Sequence, residues 1–418
     1  MNLEIGFGTY PQAVEIPDDN LEGVLKPNEV KTERVGEDAI RWALQNPIGA
    51  PRLSEIVKPG EKITIITSDI TRPLPSRIIL PILLEQLYDA GVKKCDVTVV
   101  FALGSHRKHT ADEMKKLVGE EVYENVRCID GDPEDFIRMG VTKSGTPVDI
   151  TRIVAEADFR IGVGNIEYHY FAGYSGGAKA IMPGVSTRAA IQSNHSRMIL
   201  PAATAGRLEG NPVREDIEDA ISFCPLDYIL NVVLSDQKEI VHAVAGHFID
   251  AHREGCKLVD KLYLKKIKKQ ADIVIASQGG SPKDLNLYQT QKALDNAKHA
   301  VKKNGIIILV GSCSEGLGEE VFKEWLTGSE TSVSMIERIK KDFQLGGHKA
   351  AAIAMVLEEC DVFLVSEMTP DFVRSIFLTP FASVQDALDA AFRKLGNTAS
   401  VIVMPYAGAT LPRLTDGK

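Results

Sequence analysis

Short apolar runs alternate with longer amphipathic stretches along most of the chain, and the two periods predict strands and helices in turn. Residues 62–67 (KITIIT) read as a buried strand, and residues 76–91 (SRIILPILLEQLYDAG) as a helix closed by a glycine cap. Residues 96–102 (DVTVVFA) predict a second strand, followed by the polar loop GSHRKH and a helix opening near Ala111. Residues 157–164 (ADFRIGVG) predict a third, which feeds the glycine-rich stretch GYSGGAKAIMPG. The pattern restarts at residues 271–277 (ADIVIAS) and continues through GIIILVG, DVFLVS and SVIVMP, with helical segments between. Such alternation predicts an α/β protein of two α/β domains, with mostly parallel sheets flanked by helices. The expected division is 1–268, carrying the chemistry, and 269–405, contributing substrate contacts, with a tail at 406–418 packing back on the first domain. A short connection near residue 268 suggests a hinge, with the active site in the interdomain cleft. Just before it, the basic stretch KLYLKKIKKQ reads as a solvated helix face.

Composition narrows the function classes. The 418 residues hold 57 acidic and 48 basic side chains, a net charge of −9, which argues against nucleic acid or an anionic membrane as partner. Six scattered cysteines form no Cys-x-x-Cys pair and read as reduced thiols. The opening MNLEIGFG lacks the basic and apolar regions of a secretory signal, and no apolar run approaches the roughly 20 residues that span a bilayer. The expectation is a soluble cytoplasmic protein.

Several motifs can be set aside. GVGNIE has two glycines of a dinucleotide fingerprint but not the third, and SGGAK lacks the lysine and hydroxyl placement of a P-loop. His242 and His247, five apart, do not share a helix face, and neither a His-Glu-x-x-His motif nor a Gly-x-Ser-x-Gly elbow occurs.

The informative stretch runs from Asn165 to Met198. His169 follows a buried strand, and Gly176 and Gly177 let backbone approach a ligand or hold an anion with their amides. Lys179 follows at once, and a desolvated lysine there has a lowered pKa and serves as a nucleophile. His195 could bind a metal as neutral imidazole. Asp69 and His106 lie at or beyond the ends of two other strands. In the second half, Ser281, Pro282 and Asp284 read as a helix start, which would put Tyr288 and Lys292 on one face with Gln289 beside them.

Together SDITRP, GSHRKH, EYHYFAGYSGGAKAIMPG, SNH and NLYQTQKAL, in that order across both halves, resemble the LarA-type lactate racemases, nickel-pincer enzymes. The resemblance implies a racemase or epimerase of a 2-hydroxy acid, lactate or a related 2-hydroxy carboxylate. It implies a cofactor, the nickel-pincer nucleotide (a Ni(II) pyridinium-3,5-bisthiocarboxylate mononucleotide), covalently attached to Lys179, with His195 completing the metal's coordination. His106 and His169 become paired proton donor and acceptor. Asp69, Thr71, Arg72, Gly176 and Gly177 fall on the cofactor side, and Arg72, Tyr288, Gln289 and Lys292 on the substrate side. Accessory proteins that build the cofactor are implied as partners.

Elementary chemistry agrees with that mechanism. Removing the α-hydrogen of a 2-hydroxy carboxylate as a proton would create a dianion; removing it as hydride avoids this, given an electrophilic ring to receive it. The hydroxyl proton must leave on either of two sides, so two bases are needed, and histidine, with an ordinary pKa of ~6.5, suits both. Two other readings compete: a zinc-dependent hydrolase using His106, His169 and His195, and a non-catalytic phosphometabolite-binding protein using SGGAK. His348 and Lys349, after two glycines, either reach the cleft or open a surface helix. Neither the particular hydroxy acid nor the oligomeric state is written in the sequence.

Overall fold

The structure is a computed structural model that describes residues 1–235 and 237–415. Its chain forms two compact units, one of residues 30–260, the other of residues 1–29 together with 261–418. Each is built on a six-stranded sheet. In chain order the strands of these sheets are β1 (Leu21–Val24), β2 (Ile63–Ser68), β3 (Val97–Ala102), β4 (Arg127–Asp130), β5 (Phe159–Asn165), β6 (Tyr228–Leu234), β7 (Ile240–Gly246), β8 (Ala271–Ser277), β9 (Val301–Val310), β10 (Asp361–Val365), β11 (Thr379–Phe381) and β12 (Val401–Met404).

In the unit of residues 30–260 the spatial order is β7-β6-β5-β2-β3-β4, parallel except for β7. The central strand β2 is buried on both faces, which is why it reads as an unbroken Ile/Thr run rather than an alternation. Against it packs the helix α1 (Ser76–Asp89), whose Ile79, Leu80, Leu83 and Leu87 join Ile63 and Ile65 in the core. The helix ends as expected, at Gly91 with φ +87°. From β2 the chain moves outward on one side through β3 and β4, then returns to the other side of β2 as β5. The carboxyl ends of β2 and β5 therefore flank a topological switch point, the crevice where ligands bind in open α/β sheets.

The other unit is all parallel, in the order β11-β10-β9-β8-β12-β1. Its core is Ile273, Ile275, Ile306, Ile308, Val401 and Val403 with the helical Val384, Leu388 and Ala391. Residues 1–29, which the sequence reading grouped with the first half, belong here: β1 pairs with β12 through Leu21–Val401 and Val24–Val403. The basic stretch differs from expectation too. Only its start is helical, as the end of the helix α4 (Asp250–Tyr263); Leu264–Ile267 is a strand paired with Leu411–Leu414 of the tail, and the tail's last three residues lie outside the described chain.

Candidate active site

The loop after β2 supplies Asp69, Thr71 and Arg72, and the loop after β3 supplies His106. Asp69 is buried, 3% exposed, and its Oδ2 lies 2.7 Å from His106 Nδ1. Burial alone would raise the Asp69 pKa, but the hydrogen bonds from His106 and Thr71 and the nearby Arg72 charge outweigh it and hold the carboxyl below its ordinary value. The Thr71 hydroxyl donates to both carboxylate oxygens, at 2.9 and 3.1 Å. A carboxylate behind Nδ1 keeps the proton there and leaves the lone pair of the neutral ring on Nε2, the arrangement of an oriented general base. His109, in the same GSHRKH loop, does a different job: Nδ1 sits 2.6 Å from Asp130 and Nε2 accepts from the Ile70 amide at 3.0 Å, tying the two loops together.

Beyond β5 the chain makes a two-residue hairpin pair, Tyr168–His169 against Gly173–Tyr174. The Ala172 amide donates to His169 Nδ1 at 3.3 Å, so the neutral ring carries its proton on Nε2, the tautomer opposite to that of His106. Burial lowers the His169 pKa well below the ordinary value, with the charges of Lys179 and Arg72 acting the same way. The buried ring of Phe171 is the hub of this cluster. It meets the His169 ring edge-on at 4.5 Å, the His195 ring at 4.9 Å, and lies 6.0 Å from Lys179 Nζ.

Lys179 sits in a short 3-10 turn, Gly177–Ala180. Desolvation pushes its amine well below the ordinary pKa, and the Arg214 and Arg72 charges push in the same direction. The preceding glycines are required by space as well as by angle. Gly177, at φ +58°, would set a Cβ 2.9 Å from the His252 ring; Gly176, at φ +75°, would set one 2.8 Å from Asn231 Oδ1. The same Asn231 oxygen accepts from the Gly177 amide at 2.8 Å, and His252 Nε2 lies 2.8 Å from the Ser175 carbonyl. Arg214, fully buried on the helix α3 (Pro212–Ala220), donates to the Ala172 and Tyr174 carbonyls from below.

His195 ends the helix α2 (Arg188–His195) and is 7% exposed. Its Nδ1 is 2.8 Å from Asn194 Oδ1; Asn194 in turn donates to Asp216, which also accepts from Thr142 and Thr146. A proton held on Nδ1 puts the ring's lone pair on Nε2, the metal-binding tautomer, fixed by outer partners as metal-ligating histidines are. Among the described residues no three His, Cys, Asp or Glu side chains gather as a metal site. A metal held through His195 would need its remaining donors from a cofactor. An amine biased towards its nucleophilic form and a single oriented imidazole, both packed about Phe171, fit a group that is tethered covalently and brings most of the metal's ligands itself.

In the other unit, the helix α5 (Leu287–Ala297) carries Tyr288, Gln289 and Lys292, with Gln289 and Lys292 exposed and Tyr288 half-buried. It starts later than the sequence suggested. Asn286, not Ser281, is the N-cap, its Oδ1 accepting from the Gln289 amide at 3.0 Å, while Ser281, Pro282 and Asp284 lie in the preceding turns. Asp284 instead accepts from the Gly8 and Ser312 amides, at 2.8 and 3.0 Å. His348 and Lys349 are buried in the first turn of the helix α6 (Gly347–Leu357), which excludes the reading of a surface helix start.

Sequence reasoning missed Phe171, Asn194, Arg214, Asn231 and His252. Asn194 was within reach, standing beside His195 in the SNH motif, and Phe171 stands two residues after His169 but reads as a core aromatic; Arg214, Asn231 and His252 act through space from separate elements and left no local signal.

The lactate racemase N-terminal domain family matches residues 7–206, and the lactate racemase C-terminal domain family residues 266–410. A lactate racemase of Thermoanaerobacterium thermosaccharolyticum is 36% identical over 99% of both chains. One of Lactiplantibacillus plantarum is 32% identical, covering 96% of this chain and 97% of the relative. Among solved structures, the lactate racemase apoprotein of T. thermosaccharolyticum superposes with a TM-score of 0.90 at 35% identity, over 99% of this chain and all of that one. A Thermotoga maritima protein at TM-score 0.65 and 19% identity, covering 93% of this chain and all of its own, shares the fold alone.

Proposed function

The chain belongs to the lactate racemase family and is an isomerase, and from that premise we propose that it interconverts the configurations of a 2-hydroxy acid, lactate or a related 2-hydroxy carboxylate. The proposed cofactor is the nickel-pincer nucleotide, joined to the Lys179 amine and ligated through His195. The observation that carries the reading is the packing of His169, His195 and Lys179 about Phe171, with the Asp69–His106 pair on the loops after β2 and β3.

The nucleotide, held by Lys179 and His195, would supply an electrophilic carbon able to accept a hydride. The chain's own residues do the rest. His106 takes the substrate hydroxyl proton on Nε2, and Asp69 stabilises the imidazolium that forms. His169, whose Nε2 carries the proton, is the proposed donor to the substrate oxygen on the opposite side, the partner of His106 in a donor–acceptor pair. Arg72 is suited to a forked hold on the carboxylate, Lys292 to a point-charge contact, and Tyr288 and Gln289 to hydrogen bonding beside it. Gly176 and Gly177 let the loop backbone lie against the nucleotide, while Asp69 and Thr71 shape its far side.

No described helix is long and apolar enough to cross a membrane. With the excess of acidic charge and the free cysteines, this supports a cytoplasmic enzyme without nucleic-acid partners, dependent on accessory proteins for its cofactor. The test is chiral analysis of a panel of pure 2-hydroxy acids with enzyme co-produced with those accessory proteins. The reading predicts that at least one acid reaches the same mixture from either configuration. Enzyme that carries the Lys179 adduct yet leaves every acid unchanged would overturn it.

A further inference from the structure

We propose that Lys349 is a positioning residue, gripping Tyr288 from the first turn of α6 and so fixing the residue that faces the substrate; this rests on the substrate role given to Tyr288 above. The Lys349 side chain is 7% exposed. Its Nζ stands 3.8 Å from the centroid of the Tyr288 ring and donates to the Tyr288 carbonyl at 2.6 Å. One ammonium thus holds both the side chain and the backbone of a single residue, through the ring's negative face and through a charge-assisted hydrogen bond.

The position is an expensive one for a cation. Lys349 lies in the first turn of its own helix and against the first turn of α5, and the dipoles of both disfavour positive charge there. Burying an ammonium adds a desolvation cost. The contacts with the Tyr288 carbonyl and ring offset that cost.

The other contacts complete the grip. The Phe322 ring meets Tyr288 edge-on at 5.4 Å, so the phenol is held by a ring on one side and a cation on its face. Gln278, at the end of β8, donates to the Gln289 carbonyl at 2.8 Å, and the Tyr288 amide donates to Leu317 at 3.2 Å. Lys349 itself springs from a firm base: a Cβ on Gly347 would fall 2.3 Å from the Trp325 ring, so the start of α6 lies directly on that indole. His348 has a local duty, accepting from the Gly346 amide at 3.0 Å to close the turn.

The experiment compares Lys349→Met with Lys349→Arg. In cofactor-free protein, Lys349→Met should speed hydrogen exchange in the peptide spanning 287–292 by roughly tenfold. In cofactor-loaded enzyme it should raise KM or lower kcat/KM by roughly 10- to 100-fold with the mass added at Lys179 intact. Lys349→Arg, which keeps a cation over the ring, should recover most of both. Unchanged exchange in a folded Lys349→Met chain would overturn the proposal. So would faster exchange with unchanged kinetic constants, which would also remove Tyr288 from the substrate. Should Lys349→Met not fold, Tyr288→Leu breaks the same contact from the other side and must loosen residues 287–292 likewise. If the wild-type enzyme racemises no 2-hydroxy acid, the function reading fails, while the exchange result still decides whether Lys349 holds the helix.

Discussion

Asp69 and His106 meet only because two loops at neighbouring strand ends converge, and their 2.7 Å contact gives the base its tautomer. Asp69→Asn should therefore lower turnover about 10²- to 10⁴-fold while leaving the modification at Lys179 in place; chiral chromatography and intact mass on one sample check both halves. His106→Ala and His169→Ala should each suppress conversion in both directions by a similar factor, since each configuration needs both groups. Full activity in either would refute the donor–acceptor pairing of the two histidines. Asp69, His106, His169 and Lys179 could be picked out in the sequence because each is a reactive group beside a strand end or a glycine pair. Phe171 could not be. A phenylalanine after Tyr170 looks like any core aromatic, and its role as the hub for His169, His195 and Lys179 exists only in the packed hairpin.

The turn holding Gly176 and Gly177 shows what an element adds to its residues. Gly177→Ala would force a left-handed residue to carry a Cβ, at about 1–2 kcal/mol, and press it on His252. The expected outcome is a lower melting temperature together with reduced cofactor retention, read by calorimetry and by mass. Retention and stability both at wild-type level would show that the turn tolerates a side chain. Elements with a strong period were legible: the β2 run, the α1 helix with its glycine stop, and the amphipathic α5. Boundaries set by tertiary partners were not. Ser281 and Pro282 resemble a helix start, yet Asp284 is drawn away to cap the Gly8 and Ser312 amides, and the helix waits for Asn286. The basic stretch reads as helix until Leu264–Ile267 finds a strand partner in Leu411–Leu414, 147 residues on from Leu264 to Leu411.

At the scale of the whole chain, burial holds at least three of the described histidines neutral: His169 and His252 well below the ordinary value, and His299 down to about 3. Unfolding returns each to ~6.5, so below that pH the unfolded chain binds about three more protons and stability falls as the solution is acidified. Denaturant midpoints of cofactor-free protein between pH 7 and pH 5 should decline accordingly, and His299→Phe should flatten the slope by about one proton. A midpoint independent of pH over this range would show that the histidines are not held neutral. The division of the chain was harder to read than its class. Strand–helix alternation signals two parallel sheets, but it carries no information on which sheet a short N-terminal strand such as β1 will join.

The measurement that bears most directly on the central claim is peptide mapping by mass of enzyme shown to racemise a 2-hydroxy acid. The account predicts a covalent addition on the peptide containing Lys179, absent from a Lys179→Ala chain that also has no activity. Racemisation by a chain unmodified at Lys179, or by Lys179→Ala itself, would contradict it.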